Sequence, residues 1–181
     1  MGKLIKQNLS FIVLITSMLI FRSAIADWSD VPTGSMQPTI KEGDRIWVNK
    51  MAYDLRVPFT HISLIQTGQP KRGDIVIFDS KVSDKRLVKR VVGLPGDRVA
   101  MKQHQLFIND QAIALSEMQM ADDHLVVKEK MAGHQYNIRL EQANTLSASF
   151  AEVEVPANHY LVLGDNRDNS ADSRMIGFVP R

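Results

Sequence analysis

The sequence predicts a mainly β chain preceded by one apolar helix, on three observations. After residue 30, short apolar runs alternate with Gly, Pro, Asp and Asn, the pattern of strands joined by tight turns. Before it, Leu9 to Phe21 runs thirteen residues without a charge. The whole, 181 residues at 44% hydrophobic and 23% charged, has the composition of a globular chain, long enough for one domain and an anchor. Disorder, collagen and coiled coil are excluded on the same figures.

The N-terminal run carries Lys3 and Lys6 before it and Arg22 after it. Two readings fit. A signal-peptide core wants about 7–15 apolar residues, and Ala24-Ile25-Ala26 before Asp27 supplies an Ala-x-Ala end. A spanning helix wants roughly 20, which is met if the helix extends from about Leu4 to Trp28, with Arg22 snorkelling and Trp28 at headgroup level. Both place the N-terminus in the cytoplasm and the rest outside. A buried core helix is a third reading.

Strands are expected at Arg45–Asn49, Asp74–Asp79, Leu87–Val92, Arg98–Met101, Gln105–Ile108 (ending in an Asn109-Asp110 turn) and Tyr160–Leu163. Residues 102–155 are more polar and carry no chemical motif. They read as an insertion or subdomain between two motif-dense parts, 31–99 and 156–181.

Charge and composition narrow the chemistry. The formal net charge of +2 divides into +3 for residues 1–26 and −1 for the remainder, where 19 basic residues face 20 acidic ones. A near-neutral body gives no electrostatic case for a nucleic-acid partner. Cysteine is absent, which excludes disulfides, thiolate metal sites and a Cys nucleophile. His61, His104, His124, His134 and His159 never fall at metal-ligand spacing. The acidic run Asp165 to Asp172 has no Gly at the sixth position of either calcium-loop register, and Arg167 and Arg174 bring positive charge into it.

Three stretches remain as candidates for chemistry. In Pro32-Thr33-Gly34-Ser35-Met36-Gln37-Pro38-Thr39, Gly and Pro hold Ser35 in an irregular loop with an exposed hydroxyl; a plain turn is the other reading. In Arg86-Leu87-Val88-Lys89-Arg90-Val91-Val92-Gly93-Leu94-Pro95-Gly96-Asp97, Lys89 shares an apolar strand face with Leu87 and Val91, and Arg90 shares the opposite face with Val88 and Val92. If the Lys89 face turns inward, lost solvation lowers its pKa and makes the amine a usable base; otherwise both cations sit on an edge strand in water. The third, Gly164-Asp165-Asn166-Arg167-Asp168-Asn169-Ser170-Ala171-Asp172-Ser173-Arg174, reads either as a hydrogen-bonded support for a site or as a solvated turn.

Together, in this order and behind one apolar segment, these stretches resemble the bacterial type I signal peptidases, the Ser/Lys-dyad S26-type family. The match covers about 31–50, 72–99 and 156–180. The resemblance implies a membrane-anchored, signal-peptidase-like β fold with one N-terminal transmembrane helix over residues 1–28. The catalytic β domain then covers 29–181 on the extracytoplasmic side of the bacterial inner membrane, with a core of 29–101 and 156–181. It implies Ser35 as nucleophile and Lys89 as general base. The Ser35 N–H and the Thr33 hydroxyl become oxyanion donors, each such donor being worth about 2.7–4 kcal/mol. Ser170 becomes the residue that orients the lysine, with Asp172 and Arg174 as a supporting ion pair. Partners are exported preproteins ending in Ala-x-Ala-like sites and the lipid bilayer; no cofactor and no metal is called for.

Three further expectations attach to the resemblance. Family relatives continue past the Gly177-Phe178-Val179-Pro180-Arg181 end through another strand, so stability and activity depend on whether that strand completes the core. Ala24-Ile25-Ala26 is a conceivable self-cleavage site between molecules. Competing functions are a conjugative-transfer-type Ser/Lys maturation peptidase and a non-cleaving paralogue that binds preproteins. A self-cleaving repressor type is disfavoured, because no DNA-binding helical domain precedes the dyad.

Overall fold

The computed structural model describes residues 6–60, 62–121, 123–141 and 148–181. His61 and the first five residues of the expected anchor lie outside them. The described chain is mainly β and packs as two compact units, residues 1–30 with 45–69, and residues 31–44 with 70–181.

The first unit holds helix α1 (Leu9–Ala24) and strands β1 (Ala26–Asp30), β2 (Arg45–Asn49), β3 (Asp54–Arg56) and β4 (Ser63–Gln66). The helix stops at Ala24 instead of running on to Trp28. Residues 26–30 pair antiparallel with β2, Ala26 facing Asn49 and Trp28 facing Trp47, and the two indoles meet edge to face at 5.0 Å. Asp27 anchors the junction by accepting from Arg22 Nε at 2.9 Å and Lys50 Nζ at 3.3 Å. No described helix is long and apolar enough to cross a membrane. Cutting after Ala26, which is buried within β1, requires that strand to leave β2.

The second unit contains, in chain order, β5 (Ile75–Ser80), β6 (Lys85–Gly93), β7 (Arg98–Lys102), β8 (Gln105–Ile108), β9 (Gln111–Ala112) and β10 (Ala114–Ala121). Next come β11 (His124–Met131), β12 (His134–Glu141), β13 (Phe150–Glu154), β14 (His159–Leu163), the one-turn helix α2 (Ser173–Ile176) and β15 (Val179–Pro180). The expected strands therefore appear within two residues of their predicted ends. The strands of this unit form one sheet in the order β15-β14-β6-β5, a second in the order β13-β7-β8-β9, and the meander β10-β11-β12.

Strands β6 and β14 are buried on both faces. Val91, Tyr160, Val162 and Val179 pack together on one side. On the other, Val92, Leu161 and Leu163 join Val99, Met101, Leu106 and Ile108, together with Val127, Met131, Ile138 and Leu140 from the meander. Residues 102–155 thus build a large share of the core that backs the motif-bearing strands.

Candidate active site

Burial on both faces of β6 decides what Lys89 and Arg90 become. The Lys89 face turns inward and so does the Arg90 face, Lys89 being 1% and Arg90 6% exposed. Their side chains leave the strand in opposite directions, as period-two geometry requires.

On the Val91 side, Lys89 Nζ lies 2.7 Å from Ser35 Oγ and donates to the Val88 carbonyl at 2.9 Å. Burial pushes the Lys89 pKa from 10.5 down to about 8, against the opposing pull of the Asp172 and Asp165 charges. Ser35 sits half-buried in the one-turn 3-10 segment Gly34–Met36, whose last residue, Met36, is fully buried. The Thr33 hydroxyl is 3.5 Å from Ser35 Oγ.

On the Val92 side, Arg90 forms a two-pronged pair with Asp165, Nε to Oδ1 at 2.8 Å and Nη2 to Oδ2 at 2.6 Å. Its guanidinium lies over the Tyr136 ring, 3.8 Å from the centroid. Thr39, four residues past the serine, donates its hydroxyl to Asp165 Oδ2 at 2.5 Å.

The 163–174 loop is a buried support and not a solvated turn. The Asn166 backbone N–H donates to the Ser35 carbonyl at 3.1 Å, and its side-chain amide to the Gly34 carbonyl at 3.2 Å. Asp172 accepts from the Gly164 N–H at 2.9 Å and from Arg174 Nε and Nη2 at 2.8 and 2.7 Å, while Arg174 Nη2 also caps the Arg167 carbonyl at 2.6 Å. Asp172 and Arg174 are brought together as expected. Ser170 is not brought to the lysine by a hydrogen bond. Its hydroxyl is buried without a partner and packs against Gly164, with no space between for a side chain on that glycine.

Sequence reasoning missed the residues of the meander that hold this loop. Arg167, fully buried, pairs with the fully buried Glu129 at 2.7 Å, and Tyr136 Oη also donates to Glu129. Burial opposes the Arg167 charge, but Glu129 more than offsets it and raises the pKa; burial and the same carboxylate push the Tyr136 phenol up. The Arg139 backbone bonds to the loop on both sides of Asn166, its N–H to the Asp165 carbonyl at 2.8 Å and its carbonyl to the Arg167 N–H at 3.0 Å. These partners are distant in sequence and share no local motif, so the alternating burial of β11 and β12 was the one available signal.

Tyr136→Phe is expected to lower stability by about 1.5–3 kcal/mol, the range for a hydrogen bond to a charged group, because Glu129 keeps its burial and loses a donor. Urea denaturation checks it.

The signal peptidase, peptidase S26, family model matches residues 4–181. A signal peptidase I from Pseudomonas fluorescens is 37% identical over 98% of this chain and 68% of its own length. One from Pseudomonas aeruginosa is 36% identical over the same shares. A crystal structure of a signal peptidase I from Enterococcus faecalis V583 aligns with a TM-score of 0.40 at 29% identity, covering 62% of this chain and 91% of that one.

Proposed function

The chain belongs to the signal peptidase (peptidase S26) family, enzymes that remove signal peptides by serine-protease chemistry, and we propose that Ser35 is its nucleophile and Lys89 its general base. The observation that carries this reading is the 2.7 Å approach of a buried lysine amine to the Ser35 hydroxyl. A neutral amine at that distance takes the serine proton as Oγ attacks the carbonyl of the last signal-peptide residue. The oxyanion that forms is met by the Ser35 N–H and the Thr33 hydroxyl. The lysine ammonium then protonates the leaving amine, and the neutral amine regenerated activates the water that hydrolyses the acyl-enzyme ester.

The supporting residues fit the same reading. Asp172 and Arg174 hold the loop that carries Gly164 against the serine backbone. Ser170 is assigned the orientation of Lys89, on the ground that its buried hydroxyl has no competing partner. The substrates are exported preproteins, bound as an extended strand and cut after Ala-x-Ala-like ends. Residues 1–28 are assigned as the membrane anchor, with the N-terminus cytoplasmic and the catalytic residues outside. In support, α1 leaves Phe11, Leu14 and Met18 exposed, a surface suited to lipid.

Mass spectrometry of a preprotein incubated with the enzyme in detergent, beside a Ser35→Ala control, tests the reading. A fragment beginning after an Ala-x-Ala end and absent from the control is the expected result. The same fragment in both samples places the nucleophile elsewhere.

The lysine also sets a pH profile. The base works only when neutral, so kcat/KM is expected to rise with pH through about 8 and level off above it. A profile flat from pH 6 to 10 removes Lys89 from the role.

A further inference from the structure

A second polar feature lies beside the nucleophile and has no part in the acyl transfer. The Gln37 side chain folds back over the serine turn, so that a Cβ on Gly34 would lie 3.0 Å from Gln37 Nε2. It is held there by Arg139 Nη1, which donates to Gln37 Oε1 at 3.0 Å. Arg139 reaches this point from β12, and its backbone brackets Asn166, the residue that binds the Ser35 carbonyl.

The guanidinium is not saturated. Its Nε is buried without a partner, and its Nη2 lies 3.7 Å from Asp123, whose carboxylate is 84% exposed and also contacts His124 Nδ1 at 3.0 Å. An exposed, loosely held carboxylate on a part-buried arginine is a weak pair that a second carboxylate can replace.

We propose that Gln37 and Arg139 form a specificity subsite for an acidic side chain in the first two residues after the cut, with Asp123 occupying the carboxylate position when no substrate is bound. This rests on the signal-peptidase reading of Ser35. Thr33 is extended, with φ −142° and ψ 154°, the geometry against which a substrate strand pairs, so the part before the cut runs on its side. Gln37 closes the other end of the Gly34–Met36 turn and is assigned to the mature residues beyond the cut. A cationic guanidinium is also unsuited to the small apolar ends that precede the cut.

The test compares three preproteins identical except for Glu, Gln or Lys at the second mature residue, cut by the full chain in detergent. Wild type is expected to favour Glu over Lys by roughly three- to tenfold in kcat/KM, less at high salt. In Arg139→Gln that ratio is expected to fall toward one, and in Arg139→Glu to invert, whatever the overall rate. Asp123→Asn, at an exposed position, is expected to raise it by removing the competitor. Equal cleavage of all three by wild type, or a ratio that Arg139→Glu does not move, overturns the subsite while leaving the peptidase intact. Cleavage of none of them overturns the parent reading and the subsite with it.

Discussion

Lys89→Met is expected to abolish cleavage and to leave the protein more resistant to heat than wild type at pH 7. The loss of rate comes from the missing base and should reach on the order of 10⁴-fold or more, as for members of other catalytic units. Ser35→Ala is expected to lose as much. Lys89→Arg is expected to be equally inactive, because a guanidinium gives up no proton at usable pH. The gain in stability has a separate origin. At pH 7 the wild-type amine is largely an ammonium held in an apolar setting, with Asp172 already committed to Arg174 and Asp165 to Arg90. Replacing it with an isosteric apolar chain removes that penalty, on the order of 1–3 kcal/mol.

The pH dependence separates this cause from others. The unfolded chain holds the lysine proton up to about 10.5, while the folded state releases it near 8. Between those values the unfolded state binds more protons, so wild-type stability gains a rising contribution with pH from this group. Lys89→Met should lack that rise. Calorimetry at pH 7 and pH 10 decides it; a variant less stable than wild type at pH 7 shows that the lysine contributes net structure.

Gly164→Ala is the second large effect. One added methyl would lie 2.5 Å from both the Ser170 Cβ and the Ser35 carbonyl oxygen, and closer still to the Ser170 hydroxyl. Overpacking of this kind costs about 1–3 kcal/mol. Because one of the atoms displaced is backbone of the nucleophile itself, kcat is expected to fall by roughly 10²-fold or more, the cost of about an ångström of misplacement. Adding Ser170→Gly should return part of the stability but little activity, since the clash with the Ser35 carbonyl persists and the hydroxyl assigned to orient Lys89 is gone. Full recovery of activity in the double variant would place the whole effect on the contact with Ser170 and would remove Ser170 from the orientation of Lys89.

The parts of this molecule that were legible in the sequence are those written locally. Strands bounded by Gly, Asn and Asp declared themselves by alternation, and Ser35, Lys89, Asp172 and Arg174 stand inside continuous motifs. That both faces of β6 turn inward was not legible locally, although Leu87, Val88, Val91 and Val92 make the two equally apolar. Covering both depends on β14 and on Tyr136, Ile138 and Leu140 from the meander, far along the chain. Glu129 with Arg167 escaped notice for the same reason, since each reads alone as a surface charge. Hydropathy could extend the first helix to Trp28, but it is blind to a pairing of residues 26–30 with residues 45–49.

The adjacency of Lys89 and Arg90 on a strand buried on both faces also makes the enzyme sensitive to slippage. Shifting β6 by one residue against its neighbours exchanges the two faces. For the hydrophobic side chains the exchange is nearly silent, because Leu and Val occupy both. For the two cations it is not: a slip one way brings Arg90 to Ser35 and leaves Val91 at Asp165, and a slip the other way brings Lys89 to Asp165 and the Tyr136 ring and leaves Val88 at Ser35. Only the arginine can fill the two-pronged, stacked place. Asp165 and Tyr136 therefore act as a registration mark, rejecting misaligned copies of a strand whose greasy residues alone would accept either alignment.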